Sequence, residues 1–161
     1  MSKLTTLLAS AAFTLAALGS AAQAETVKIG LVVKALDDRV PLWATINEPW
    51  VVADGGYMHG VLAPGHRSAD EAAIAAHNLL RAHAQGVRAY RAVGHQQIGL
   101  VVNIEPKHLP ADATDADRRA QSLADAYMNR QYLDPAIFGR YPEELPAVFG
   151  SSWPDWPLSE V

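Results

Sequence analysis

The chain has 161 residues, half of them hydrophobic, a formal net charge of -4 and no cysteine. That length and composition suit one globular domain with a real core and argue against a disordered chain. The mild charge gives no reason to expect nucleic acid or an anionic membrane as partner, and the lack of cysteine excludes a disulfide framework or a thiolate metal site.

The first 24 residues read as an export signal. Lys3 supplies a positive start, Leu4 to Leu18 is mostly apolar and small, and Ala22-Gln23-Ala24 has the A-x-A form of a cleavage site. A mature chain beginning at Glu25, periplasmic or secreted, with no membrane contact after cleavage, is the expectation. The stretch is too short and too rich in Ala, Ser and Thr to favour a membrane anchor. Val27 to Val33 then reads as a buried strand.

Leu42 to Asn47 is a second short apolar run, and Pro49 stops it because proline cannot donate to a ladder. Pro49 to Arg67 follows as a long loop with Gly55, Gly56, Gly60, Pro64 and Gly65. Loops of that length usually carry function or are disordered. Ser68-x-x-Glu71 predicts a capping box opening a helix that runs to about Val93. Its inner face is Ala72, Ala76, Leu79, Leu80, His83, Val87 and Tyr90, with Gly86 as a weak point. Ile98 to Ile104 is a near-continuous apolar strand, expected to be covered on both faces. Pro106 and Pro110 bound a loop, and Thr114 caps a further helix with Ala116, Ala120, Leu123, Ala124, Tyr127 and Met128 inward. Phe149 to Val161 reads as loop. The alternation gives an α/β fold: two strand–helix units and an N-terminal strand, hence about three parallel strands with right-handed crossovers.

Asn47 and Glu48 stand at the carboxyl end of a strand, the catalytic end of α/β barrels. An acid there can protonate a leaving oxygen, and an amide beside it can hydrogen-bond a sugar hydroxyl. The bland alternative is that both simply end a strand and face water. The six histidines show no H-E-x-x-H spacing. His77 and His83 face different ways on one helix, so no metal is expected and His77 reads as a core residue bonded locally. Trp43, Trp50 and Tyr57 could cover a sugar face, although core packing is the commoner fate. Arg118 and Arg119 read as a solvated helix face.

The words from Trp43 to Arg67, WATINEPWVVADGGYMHGVLAPGHR, resemble glycoside hydrolase family 1, the β-glucosidase family. So do Ala76-His77-Asn78-Leu79-Leu80, Gln97 to Asn103, Tyr132-Leu133-Asp134-Pro135 and Gly139-Arg140-Tyr141-Pro142. The resemblance runs from about Arg39 to Trp156. It implies a segment of an incomplete TIM (β/α)8 barrel, two of the eight strand–helix units of a fold that takes ~250 residues in full. It also implies retaining hydrolysis of β-glucosides or related β-glycosides without a cofactor. Glu48 matches the family's acid/base and must then enter the cycle protonated near neutral pH. Asn47 matches the amide that binds the sugar 2-hydroxyl. Residues 25–38, with the leader, resemble the start of a periplasmic ribose-type sugar-binding protein, which suggests a join near Asp37-Asp38.

The chain departs from the family pattern in ways that matter. It has no I/V-T-E-N-G block, which carries the nucleophile, and no upstream His-Trp pair. Only Asn47 and Glu48 therefore carry over. Glu105, ending the next strand before Pro106, could substitute, since neighbouring strands lie ~4.8 Å apart, but a plain loop carboxylate is the favoured reading. Asp54 is a weaker candidate still. The expected function is a β-glucosidase-like glycosidase, poorly active alone, with an exported sugar-binding or non-catalytic product as alternative. So few strands also leave open sheet edges, and with them self-association.

Overall fold

The computed structural model describes residues 32–154. The export signal, its cleavage site and most of the Val27–Val33 strand lie outside the described residues, as does the end of the tail. The last two residues of that expected strand are described, and they are helical. Residues 32–36 form a short helix in which Asp37 N–H donates to Val33 O at 2.8 Å. A β-branched run is only a weak strand signal, and context overrides it here.

The elements in order are β1 (Leu42–Asn47), a wide π-helical segment Val51–Met58, α1 (Ala69–Arg91) and β2 (Gln97–Val101). There follow α2 (Asp115–Asp125), a second wide segment Ala126–Arg130, α3 (Gln131–Phe138), α4 (Leu145–Phe149) and a single turn Gly150–Ser152. β1 and β2 pair as a two-stranded sheet, so among the described residues the sheet has two strands where about three were expected.

By their contacts the residues fall into two compact units. Among the described residues one comprises those up to Leu42 with Ala89–Gln97; the other comprises Trp43–Arg88 with those from Ile98 onward. The first unit is organised by Asp37. Its buried carboxylate accepts from the Tyr90 phenol and, at 2.7 Å, from His95 N–H, while Gln96 N–H donates to the same phenol at 2.9 Å.

The second unit has two apolar clusters. Ala53, Ala76, Leu80 and Tyr132 form one, with Trp50 and Leu100 against it; Ala73, Ala126, Leu145 and Phe149 form the other, with Tyr127 and Trp153 against it. The predicted inner face of α1 supplies Ala72, Ala76 and Leu80 to the interior. Gly86, expected only to weaken the helix, has a packing role. A Cβ there would sit 3.3 Å from Thr45 Cγ2, so the absent side chain is what lets α1 approach β1.

Three expectations fail here for definable reasons. The stretch after Pro49 is not all loop. Val51–Met58 is helical, and its glycines let the chain fold back on it, since Leu62 N–H donates to Gly55 O at 2.9 Å and His66 N–H to Gly56 O at 3.0 Å. A Cβ at Gly55 would meet Leu62 Cδ1 at 2.7 Å, and one at Gly56 would meet Ala63 O at 2.7 Å. The capping box forms only in part. Glu71 N–H reaches Ser68 Oγ at 3.3 Å, but the Glu71 carboxylate turns to His66 Nδ1 at 2.6 Å and Ser68 N–H donates to Tyr57 O at 2.8 Å. Finally, β2 ends at Val101 and none of its residues is fully buried, and α2 buries none of its own residues. Ala116, Ala120 and Ala124 are exposed; the inward residues come from the wide segment that follows, Ala126, Met128 and Asn129. Thr114 does cap α2, in a full box with Asp117.

Candidate active site

β1 delivers Asn47 exposed at its end, and Glu48 follows half-buried. Glu48 has φ +47°, the one left-handed non-glycine residue among those described. Its amide donates to Val101 O at 2.8 Å and its carbonyl accepts from Val51 N–H at 3.0 Å. The chain therefore turns sharply at Glu48 while its backbone stays tied to β2 on one side and to the following helix on the other. Pro49 behind it is fully buried. Among the described residues no lysine or arginine pairs with the Glu48 carboxylate, so a half-exposed acid at the strand end remains available for chemistry.

The underside of the motif is fixed by a side-chain network that the sequence did not reveal. Thr45 Oγ1 lies 2.7 Å from His83 Nδ1 and donates to Gly99 O at 3.1 Å. The single hydroxyl proton is committed to the carbonyl, so Nδ1 of His83 must carry the hydrogen in the other bond. Burial holds the His83 imidazole below its usual range, which favours the neutral ring.

Beyond the motif, several aromatic and polar side chains are joined to one another. Trp50 packs edge-on against Tyr127, with centroids 6.3 Å apart. Trp50 Nε1 and Asn103 Oδ1 are buried and have no hydrogen-bond partner among the described residues. Tyr127 donates to Asp54 Oδ1 at 2.6 Å, and burial, aided by Asp54, pushes its phenol well above the ordinary value. Asp54 thus serves as a structural acceptor. His77 is buried, as expected of a core residue, and its Nδ1 lies 2.8 Å from the hydroxyl of Tyr141, a partner distant in the chain.

Among the described residues Glu105 does not join Glu48 in a hydrogen-bond or ion-pair network. Its carboxylate meets Lys107 Nζ at 2.7 Å, and its backbone is clasped by Asn129, which accepts from Glu105 N–H and donates to Glu105 O, both at 2.9 Å. A groove of about 350 Å³ between Val51–Met58 and α1 is lined by Val52, Tyr57, Ile74 and Leu79 among others, but by neither Asn47 nor Glu48. Among the described residues no three His, Asp or Glu side chains gather as metal ligands, and no helix is long and apolar enough to cross a membrane.

The model of glycosyl hydrolase family 1 matches residues 28–155 of this chain. Beta-glucosidase A of Acetivibrio thermocellus is 39% identical over 114 residues, 70% of this chain and 25% of that protein. Beta-glucosidase A of Thermotoga maritima is 44% identical over 108 residues, 66% of this chain and 24% of that protein. Among solved structures, virulence factor SghA from Agrobacterium tumefaciens superposes with TM-score 0.73 at 35% identity, over 88% of this chain and 32% of that one. The chain thus spans about a quarter of the length of the curated relatives it matches.

Proposed function

The chain belongs to glycosyl hydrolase family 1, and from that premise we propose that it carries the acid/base portion of a β-glucosidase-like retaining glycosidase. Glu48 is the group that gives a proton to the departing glycosidic oxygen and later takes one from water. Asn47 offers its exposed amide to the sugar 2-hydroxyl. The substrate class is a β-linked glucoside; relatives are named β-glucosidases, and SghA has been solved with the substrate analog salicin. The observation that carries the reading is the family match across the strand that ends in Asn47-Glu48, with Glu48 free of any cationic partner among the described residues.

The 161 residues contain no I/V-T-E-N-G block. Losing one member of a catalytic set usually removes most of its rate advantage. The chain alone should therefore leave an aryl β-glucoside unhydrolysed. A chimera in which residues 39–156 replace the matched stretch of the Thermotoga maritima β-glucosidase should hydrolyse it. Glu48→Gln should then lower that rate by ~10²–10⁴-fold. The assignment is refuted by a folded chimera that is inactive with Glu48 in place, or by one in which Glu48→Gln leaves the rate unchanged. Export with cleavage after Ala24 belongs to the same proposal; an intact Met1 in the mass of exported protein refutes that part.

A further inference from the structure

A cavity of about 370 Å³ lies in the second unit, between the loop after β2 and the stretch formed by α2 and the wide segment behind it. Lys107, Gln121, Ser122, Asp125 and Arg130 line it; neither Asn47 nor Glu48 does. Gln121 and Asp125, four apart on α2, share a face, with Ser122 beside them. The volume falls in the ~300–1,000 Å³ range of small-molecule sites, whose lining is mostly apolar. Here all five walls are polar, so the ligand they suit is polar too.

The hydrogen-bonding capacity of these walls is only partly used. The Lys107 side chain is 21% exposed, and among the described residues its ammonium has one partner, Glu105 Oε1 at 2.7 Å, leaving two N–H groups over. Arg130 directs Nε to Asp125 Oδ2, Nη1 to Glu144 Oε2, and Nη2 to Glu144 Oε1 and Ser122 O, leaving one Nη1 hydrogen over. On the accepting side, Gln121 Nε2 donates to Lys107 O, while Gln121 Oε1 accepts from no described residue. The Ser122 hydroxyl gives its proton to Glu144 Oε1 at 2.7 Å and keeps an oxygen able to accept. Asp125 accepts once on each oxygen, from Asn129 Nδ2 at 2.8 Å and from Arg130 Nε at 2.7 Å, and each oxygen has a further lone pair. Unmet donors and unmet acceptors therefore share one part-buried cavity, where partners are worth most.

Charge narrows the ligand class. The ionised walls and their ion-pair partners set Lys107 and Arg130 against Glu105, Asp125 and Glu144, two positive charges against three negative. An anion meets that surplus of carboxylate, and an apolar ligand strips water from the ammonium without replacing it. A metal ion lacks a ligand set, since among the described residues no three His, Asp or Glu side chains gather. A hydroxyl both donates and accepts, and several on one ring answer both kinds of wall together. Bonds from hydroxyls to an ammonium or a carboxylate are also of the stronger, charge-assisted kind. We propose that this cavity binds a neutral polyhydroxylated ligand of single-ring size, a monosaccharide-like polyol, with Lys107 and Arg130 donating to its oxygens and Gln121, Ser122 and Asp125 accepting from its hydroxyls. The site is separate from Asn47 and Glu48 and does not rest on the proposed function.

The test is an NMR titration of the purified, ¹⁵N-labelled chain with D-glucose, which needs no catalysis. The Gln121 side-chain amide, the Arg130 Nε–H and the backbone amides of Lys107 and Ser122 should shift saturably, with a midpoint of ~1–50 mM. Lys107→Met removes a charged donor and should raise the midpoint about tenfold; Gln121→Met removes a neutral acceptor and should raise it about threefold. Both leave the Arg130–Glu144 pair in place, and circular dichroism shows that they fold. Sodium sulfate at matched ionic strength should not shift these signals toward the glucose-bound positions. The site is refuted if glucose gives no saturable shift there up to ~100 mM, if the only shifts are at Asn47 and Glu48, if sulfate reproduces them, or if both folded variants keep the parental midpoint. Where a variant does not fold, the parent titration decides alone. Glu48→Gln should leave the midpoint at the cavity unchanged, so the failure of this site and the failure of the catalytic reading are told apart.

Discussion

Glu144 offers the sharpest prediction about stability. Arg130, in the wide segment between α2 and α3, grips it at two points: Nη2 to Oε1 at 2.6 Å and Nη1 to Oε2 at 3.1 Å. Ser122 Oγ donates to Oε1 at 2.7 Å, and Arg130 Nε reaches Asp125 Oδ2 at 2.7 Å. A bidentate guanidinium–carboxylate pair is the strong form of this contact. The Arg130 hydrogen bonds, helped by Ser122, hold the Glu144 carboxyl at about 2 against an ordinary 4.5. At ~1.36 kcal/mol per pKa unit the ceiling is ~3 kcal/mol. Both side chains are near 30% exposed, 30% for Arg130 and 28% for Glu144, so water screens the pair and ~1.5 kcal/mol is the working figure. Because the folded pKa is depressed, this contribution is present above about pH 4.5 and is lost as pH falls toward 2. Glu144→Gln should therefore cost ~1.5 kcal/mol at pH 7. The gap should hold down to about pH 5 and close below 4.5, as pH falls toward the value at which Glu144 in the parent protonates. Urea unfolding of parent and variant at pH 7, 5, 4 and 3 measures it, and other carboxylates cancel in the difference. A gap as large at pH 3 as at pH 7 refutes the reasoning, as does no gap at pH 7.

Tyr127→Phe keeps the ring contacts to Trp50 and Phe149 but strips Asp54 of its 2.6 Å donor; a loss of ~2 kcal/mol is expected in urea unfolding at pH 7. Since the folded phenol titrates above its ordinary 10, the parent's advantage should be full below pH 10 and shrink above it. Gly94→Ala should cost ~2 kcal/mol or more, because a Cβ there overlaps the Tyr90 ring, which Asp37 and Gln96 hold in place; unfolding midpoints of the two proteins test it. The two-stranded sheet, with Val101 exposed, should make the chain self-associate as concentration rises, and Val101→Lys should reduce this in sedimentation velocity without altering the circular dichroism spectrum.

The sequence made some of this legible because the signals were local. Pro49 ended a strand, Thr114 capped a helix, and the steps from Ala72 to Tyr90 marked one helical face; each reflects chemistry among residues close in the chain. What stayed hidden depended on partners far away. Nothing near Thr45 in sequence announces His83 or Gly99, and nothing near His77 announces Tyr141. Gly55 and Gly56 looked like loop residues because glycine usually is one, yet each is required by the return of Leu62 and Ala63 across the helix. The wide turns of Val51–Met58 and Ala126–Arg130 also defeat a search for a 3.6-residue period.

The misjudged burial of α2 and β2 has a single cause. Periodicity tells which side of an element is apolar; it does not tell whether anything covers that side. Ala116, Ala120 and Ala124 fall on one stripe and are exposed, and Ile98 and Leu100 belong to an apolar run yet are only half-buried. A sequence pattern carries the burial of the fold in which it was selected, and this chain matches about a quarter of each family member to which it compares. Glu48 is the exception that supports the rule. Its amide is tied to Val101 O and its carbonyl to Val51 N–H, both partners that the chain itself brings, and there it holds φ +47°.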